Sequence, residues 1–199
     1  MTINTENYKW PRPIGFQPFD HQKETAEFLS LRRRAFCFNE QGTGKTASVI
    51  WAADYLMTKG AVKRVLILCP LSIMQTSWQN DLFKFAVHRT VDVAYGTPEK
   101  RKKIVSGTAE FIIINYDGVP SVFEEIKNGG FDLIVIDEAN AYKTVSTKRW
   151  KTLAKLLTPS TRLWMLTGTP ASQSPEDAFG LAKLVNPAGV PKFFGAWRD

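Results

Sequence analysis

Two short segments hold the residues whose types and spacing could do chemistry. The first is Asn39-Glu40-Gln41-Gly42-Thr43-Gly44-Lys45-Thr46, which follows the apolar run Ala35–Phe38 and opens the helical pattern Lys45–Met57. Strand, glycine loop and helix in that order are what a phosphate-gripping loop requires. Gly42 and Gly44 let backbone N–H groups turn inward around phosphate oxygens, and the helix N-terminus adds partial positive charge. Lys45 is placed to reach the β- and γ-phosphates of a nucleoside triphosphate, and the Thr46 hydroxyl to ligate magnesium. Asn39 stands where the general pattern has Gly; Asn tolerates unusual backbone angles better than most residues. The plain alternative is a Gly-rich turn before a helix, which G-x-G-K-T in this setting disfavours.

The second segment is Leu133-Ile134-Val135-Ile136-Asp137-Glu138, an apolar strand that ends in two carboxylates. In parallel α/β sheets the carboxyl ends of the strands form the ligand crevice, so this pair and the glycine loop can converge. Asp137 is expected to hold magnesium and Glu138 to orient the attacking water. Taken alone the pair could be an acidic strand exit or a helix cap.

The elements that must position these groups are short. Six β-rich runs stand out: Ala35–Asn39, Val65–Cys69, Val91–Tyr95, Phe111–Tyr116, Leu133–Asp137 and Leu163–Thr167. Several are apolar without alternation, as strands buried on both faces read. Helical patterns fall between them at Lys45–Met57, Ser72–Phe85, Val119–Asn128 and Thr147–Thr158. Strand–helix alternation predicts an α/β fold, a mostly parallel central sheet with helices on both faces. Thr2–Pro18 reads as irregular, and the chain after about residue 190 as an exit.

Composition bounds the partners. The 199 residues suit one domain, and 26 Lys and Arg against 19 Asp and Glu give +7, which favours an anionic partner or reflects a merely basic surface. No apolar run nears the roughly 20 residues that span a bilayer, so a soluble, intracellular protein without a membrane partner is expected. Cys37 and Cys69 sit in apolar runs and read as buried strand residues in a reducing compartment. Neither His21 nor His88 has neighbours at metal-ligand spacing. A structural zinc site or a Ser-His or Cys-His hydrolase is therefore not expected.

The motifs "NEQGTGKT", "VLILCPLSIMQTSWQNDLFKF", "FIIINYDGV", "VIDEANAYKTVSTKRWKTLAKLL" and "LWMLTGTPASQSPEDAFGLAKLVNP" occur in one order. That order resembles superfamily-two helicases, and the wording is most similar to Swi/Snf-type double-stranded DNA translocases. The resemblance runs from about Phe16 to the end. It implies a RecA-like ATP-binding domain over residues 19–190, with ATP and Mg2+ as cofactors and double-stranded DNA as partner. It implies that Gln22 hydrogen-bonds adenine with Phe19 nearby, and that Glu40, Gln41, Gly42, Thr43, Gly44, Lys45 and Thr46 bind the phosphates. It implies that Pro70, Leu71, Ser72, Asn115 and Tyr116 face DNA, and that Thr167, Gly168 and Thr169 couple the two sites. Lys143 matches a basic position after the acidic box. Bland readings stand beside these: Gln22 as a polar helix residue, Ser72 as a helix cap, Trp78 as core, and Arg32–Arg34 and Lys100–Lys103 as solvated charge runs.

Several positions depart from that family pattern. Asn140 replaces the usual His of the acidic box, Asn115 a frequent Thr, and Gln41 and Thr43 apolar residues of the loop. The second RecA-like domain, which supplies a transition-state arginine, is expected in cis in a longer chain or in trans from a partner. The alternatives are a strand-separating helicase or restriction-type translocase, and a hydrolysis-defective nucleotide- or DNA-binding adaptor.

Overall fold

In the computed structural model the described residues are 7–38, 44–168 and 175–190. Six strands form one parallel sheet: β1 (Arg34–Phe38), β2 (Val65–Cys69), β3 (Val91–Val93), β4 (Phe111–Asn115), β5 (Leu133–Ile136) and β6 (Arg162–Thr167). Their order is β1-β6-β5-β2-β4-β3, and each neighbouring pair is parallel. All six runs expected from the sequence are strands, and β3, β4 and β5 end a residue or two before the expected limits. Edge strand β3 stops at Val93 because the chain turns at Gly96, whose φ of 116° suits only glycine.

β2, β4 and β5 are buried at every residue, which is why they lack alternation. Their side chains divide between two cores. One face, with Val65, Ile67, Cys69, Ile113, Val135 and Trp164, packs on α1 (Asp20–Ser30), α2 (Lys45–Thr58) and the segment carrying Met74, Trp78, Leu82 and Phe85. The other, with Leu66, Leu68, Ile112, Ile134, Ile136 and Met165, packs on Val122, Ile126, Trp150, Leu153, Leu181 and Leu184. The last four lie on α6 (Lys148–Leu156) and α7 (Pro175–Val185). Helices therefore cover both faces of the sheet.

Three expectations need correction. Ser72–Phe85 is not one α-helix: Leu71–Ile73 is a 3₁₀ turn, Met74–Gln79 is π-helical, and only Asn80–Phe85 (α3) is α-helical. Val119–Asn128 divides likewise into a 3₁₀ turn at Pro120–Val122 and α5 (Phe123–Lys127). Arg34 is no solvated charge. Its guanidinium donates to the carbonyls of Thr161 (3.0 Å), Leu184 (3.0 Å) and Thr158 (2.7 Å), and burial lowers its pKa. Lys100, Lys102 and Lys103 do lie exposed, on α4 (Pro98–Val105).

Residues 8–18 contain no helix or strand, yet Tyr8, Trp10 and Phe16 pack against the first core. The Trp51 indole donates to the Pro11 carbonyl at 2.8 Å. Beneath this strap, buried Asp54 accepts from Tyr8 Oη, from Arg89 Nε at 2.7 Å and pairs with His88 Nε2 at 2.6 Å. Cys37 and Cys69 are both buried and free.

Candidate functional site

A parallel sheet brings every strand's carboxyl end to one edge, so the segments that follow β1, β2, β4, β5 and β6 share that edge. β6 alone separates β1 from β5. Two strand spacings are about 10 Å, and one long side chain bridges that gap. Lys45, the first residue of α2, places Nζ 2.8 Å from Asp137 Oδ1 and 3.6 Å from Glu138 Oε1. The structure thus joins the loop lysine to both acids.

Asp137 is only 2% exposed, and its carboxylate is shared between two neighbours. Lys45 holds Oδ1, while the Trp78 indole N–H donates to Oδ2 at 2.9 Å. The Asp137 backbone N–H donates to the Leu68 carbonyl on β2 at 2.8 Å, and its carbonyl accepts from the Tyr116 hydroxyl. Burial first, then the charge of Asp137, raises the Tyr116 pKa well above the ordinary phenol. The same two causes push Cys69 up to about 12.

Glu138 has φ 59° and ψ 71°, the sole non-glycine with positive φ among the described residues. A left-handed backbone costs a side-chain-bearing residue roughly 1–2 kcal/mol. That conformation turns the chain out of β5 and leaves the Glu138 carboxylate beside Lys45, about a third exposed. Strain of this kind persists only where surrounding contacts fix it, and it gathers at functional sites.

Directly before Lys45, Gly44 has φ 69°. A Cβ there would lie 2.1 Å from Gln22 Nε2, so only glycine fits. Gln22 is buried and spans two elements: Oε1 accepts from the Phe19 N–H at 2.9 Å and Nε2 donates to the Gly44 carbonyl at 3.3 Å. Gln22 therefore links α1 to the start of α2. The Phe19 ring is exposed and stacks on His21 with centroids 5.5 Å apart.

Thr46 points its hydroxyl at Asp81 on α3 and donates to Oδ2. Neither Asp81 nor the polar contact of Trp78 was foreseen from the sequence, which placed Trp78 simply in the core; it is fully buried there. The spacing of Trp78 and Asp81, three residues apart where the chain enters α3 against α2, is the one signal that could have suggested a shared face.

The remaining expected residues that the structure describes follow the carboxyl ends of β2, β4, β5 and β6 in differing settings. Pro70 and Ser72 follow β2, with Ser72 exposed and making no side-chain cap, so the capping reading fails. Asn115 ends β4, 8% exposed, and its Oδ1 is buried without a protein partner. Beside it, the Tyr116 ring lies 5.0 Å from the Arg149 guanidinium, which pairs with Asp117 at 3.0 Å. Asn140 and Lys143 are exposed. Thr167 ends β6 and is buried, with half-buried Gly168 after it. Glu40, Gln41, Gly42, Thr43 and Thr169 lie outside the described residues, as does Asn39.

A parallel α/β sheet with a glycine turn, Lys45, Asp137 and Glu138 on its carboxyl edge defines a P-loop domain of the RecA-like kind. Residues 21–198 match the SNF2-related domain, and the chain belongs to that family. It is 30% identical over 185 residues to the SWI/SNF-related matrix-associated actin-dependent regulator of chromatin subfamily A-like protein 1 of Xenopus laevis, which covers 90% of this chain and 18% of that protein. It is 29% identical over 178 residues to the uncharacterized ATP-dependent helicase YqhH of Bacillus subtilis, covering 87% of this chain and 30% of YqhH. Among solved structures, the Sulfolobus solfataricus SWI2/SNF2 ATPase core in complex with double-stranded DNA superposes with a TM-score of 0.79 at 25% identity. That match covers 94% of this chain and 39% of the other. The chain thus spans less than half the length of each of these relatives.

Proposed function

We propose that this chain binds ATP with magnesium and, completed by a second RecA-like domain in cis or in trans, acts as a DNA-dependent ATPase that moves on double-stranded DNA. The observation that carries the reading is the bridge from Lys45 to Asp137 and Glu138, which joins the glycine loop to the acidic pair at one sheet edge. Family membership supports the motor reading, and the likeness to an ATPase core bound to double-stranded DNA supports that partner.

The residues fit the cation. Thr46 and Asp137 offer a hydroxyl and a carboxylate, the hard oxygens magnesium takes. No cluster of three or more His, Cys, Asp or Glu among the described residues could hold a metal by itself. When bound, magnesium would neutralise charge developing on the transferred phosphoryl group.

The chain's own groups have distinct tasks. The Lys45 ammonium exchanges Asp137 for the β- and γ-phosphates. Gln22 faces the adenine while holding Gly44. Glu138 orients the attacking water, and its partial exposure leaves that water access. Residues 40–44 supply backbone N–H groups to the phosphates. Pro70, Ser72 and Asn115 contribute to the DNA groove, and Asn140, Thr167, Gly168 and Thr169 couple it to the nucleotide. The ATP-binding domain occupies residues 19–190, with 1–18 as its N-terminal segment and 191–199 leading towards the second domain. Among the described residues no helix is long and apolar enough to cross a membrane.

A titration with a fluorescent ATP analogue and magnesium tests the reading. Lys45→Ala is expected to weaken binding at least tenfold, about 1.4 kcal/mol. Equal binding by the parent and this variant, both folded, would refute it.

A further inference from the structure

Both residues assigned above to magnesium, Thr46 and Asp137, receive a hydrogen-bond partner from a single segment that no motif role covers. Asp81 accepts the Thr46 hydroxyl proton, and the Trp78 indole N–H holds Asp137 Oδ2 at 2.9 Å. The two partners sit three residues apart, at the junction of the π-helical stretch Met74–Gln79 with α3. π-helical turns are uncommon and occur often at functional sites.

The chemistry of each contact is directional. A threonine hydroxyl has one proton and two lone pairs. With its proton on Asp81, Thr46 has only lone pairs left to offer a cation. An indole nitrogen can only donate, so Trp78 fixes one carboxylate oxygen and leaves the other facing Lys45 and any cation. Trp78 is fully buried and cannot swing away without disturbing the core.

We propose that Trp78 and Asp81 are positioning residues for the cation, orienting the Asp137 carboxylate and the Thr46 hydroxyl that would ligate it. This rests on the nucleotide-site reading. Partners of this kind around a metal ligand typically change metal affinity by about 10–100-fold when removed. The segment begins just after Pro70 and Ser72. The same stretch of chain therefore runs from the proposed DNA-facing turn to both cation ligands.

The test is a magnesium titration of the chain at fixed fluorescent ATP analogue, beside the analogue's affinity in EDTA. Asp81→Ala and Trp78→Phe are expected to raise the magnesium midpoint about tenfold or more, with less than twofold change in EDTA. Asp81→Asn keeps a carbonyl acceptor and is expected to recover part of the shift. Lys45→Ala, by contrast, loses affinity in both conditions. Midpoints within twofold of the parent, or an equal loss with and without magnesium, would overturn the proposal and leave the nucleotide site standing. Trp78→Phe removes the indole N–H and keeps a smaller aromatic ring in the core, so the folded variant's result decides the matter even if Asp81→Ala does not fold. If Lys45→Ala has no effect on the parent's binding, the nucleotide-site reading fails and takes this proposal with it.

Discussion

Gly44→Ala would be costly here, although the same change usually stabilises. Removing glycine's freedom from the unfolded chain is ordinarily worth about 0.4–1 kcal/mol in favour of folding. At position 44 two terms oppose it. The φ of 69° costs an alanine roughly 1–2 kcal/mol. Its Cβ would also sit 2.1 Å from Gln22 Nε2, and Gln22 cannot yield freely, because it is 2% exposed and holds both Phe19 and Gly44. Displacing it forfeits two hydrogen bonds of about 0.5–1.5 kcal/mol each. The net loss is about 3 kcal/mol, or a fall in Tm of roughly 6–12 °C for a chain of this size. Thermal and urea unfolding of Gly44→Ala, Gln22→Ala and the double variant check it as a cycle. With Gln22 truncated the steric term disappears, so Gly44→Ala should then cost only about 1 kcal/mol. A loss below about 0.5 kcal/mol in the parent, or an equal loss in both backgrounds, would refute the close approach.

Asp54→Ala removes a buried carboxylate from Tyr8, His88 and Arg89. Breaking a buried charge pair costs about 3–5 kcal/mol, and since Arg89 keeps Glu110 at 3.1 Å the low end is expected. A urea-measured loss under 1 kcal/mol would count against this. Gly180→Ala should destabilise, although helix propensity alone favours alanine by about 1 kcal/mol. Its Cβ would lie 1.7 Å from the Lys143 carbonyl oxygen, backbone that cannot rotate aside, so a stable or stabilised variant in a melt would contradict that packing. Burial raises the pKa of both thiols, Cys69 to about 12. Both should resist alkylation at pH 8 when folded and react in denaturant, as read by mass spectrometry. A raised folded pKa keeps the thiol neutral while the unfolded chain ionises first. The stability from Cys69 is therefore complete below about 8.5 and lost as pH rises towards about 12. Alkylation of Cys69 at equal rates in both states would refute this.

What could be read from the sequence followed from burial and from local spacing. Val65–Cys69 and Phe111–Asn115 announce themselves because strands covered on both faces have no reason to alternate. Helix α1 gave no comparable sign. It buries only Gln22, Ala26, Leu29 and Ser30, and its N-cap is Phe19 instead of a polar residue. The glycine loop with Lys45 and the acidic pair with Asp137 could be expected to converge because each follows a strand's carboxyl end with a recognisable neighbourhood. Asp81 could not, since its partner Thr46 is 35 residues away and an acid in a helix's first turn ordinarily needs no partner beyond the helix dipole. Arg34 misled because a run of three arginines looks solvated. Only the folded chain brings the carbonyls of Thr158, Thr161 and Leu184 around it.

Parallel pairing gathers segments onto one edge, but it does not say which groups on that edge will touch. Here the contacts are set by a few side chains long enough to cross a strand spacing. Lys45 reaches past β6, and Tyr116 reaches from the end of β4 past β2 to the Asp137 carbonyl. Asp137 consequently has all its oxygens engaged: Lys45 and Trp78 on the carboxylate, Tyr116 on the carbonyl. Its successor Glu138 takes the strained backbone and keeps the more exposed carboxylate. An immobilised acid suits a ligand that must not move, and a freer acid suits one that must accept and orient a solvent molecule. That division of labour follows from how differently the two neighbours are held, and it agrees with the roles proposed for them.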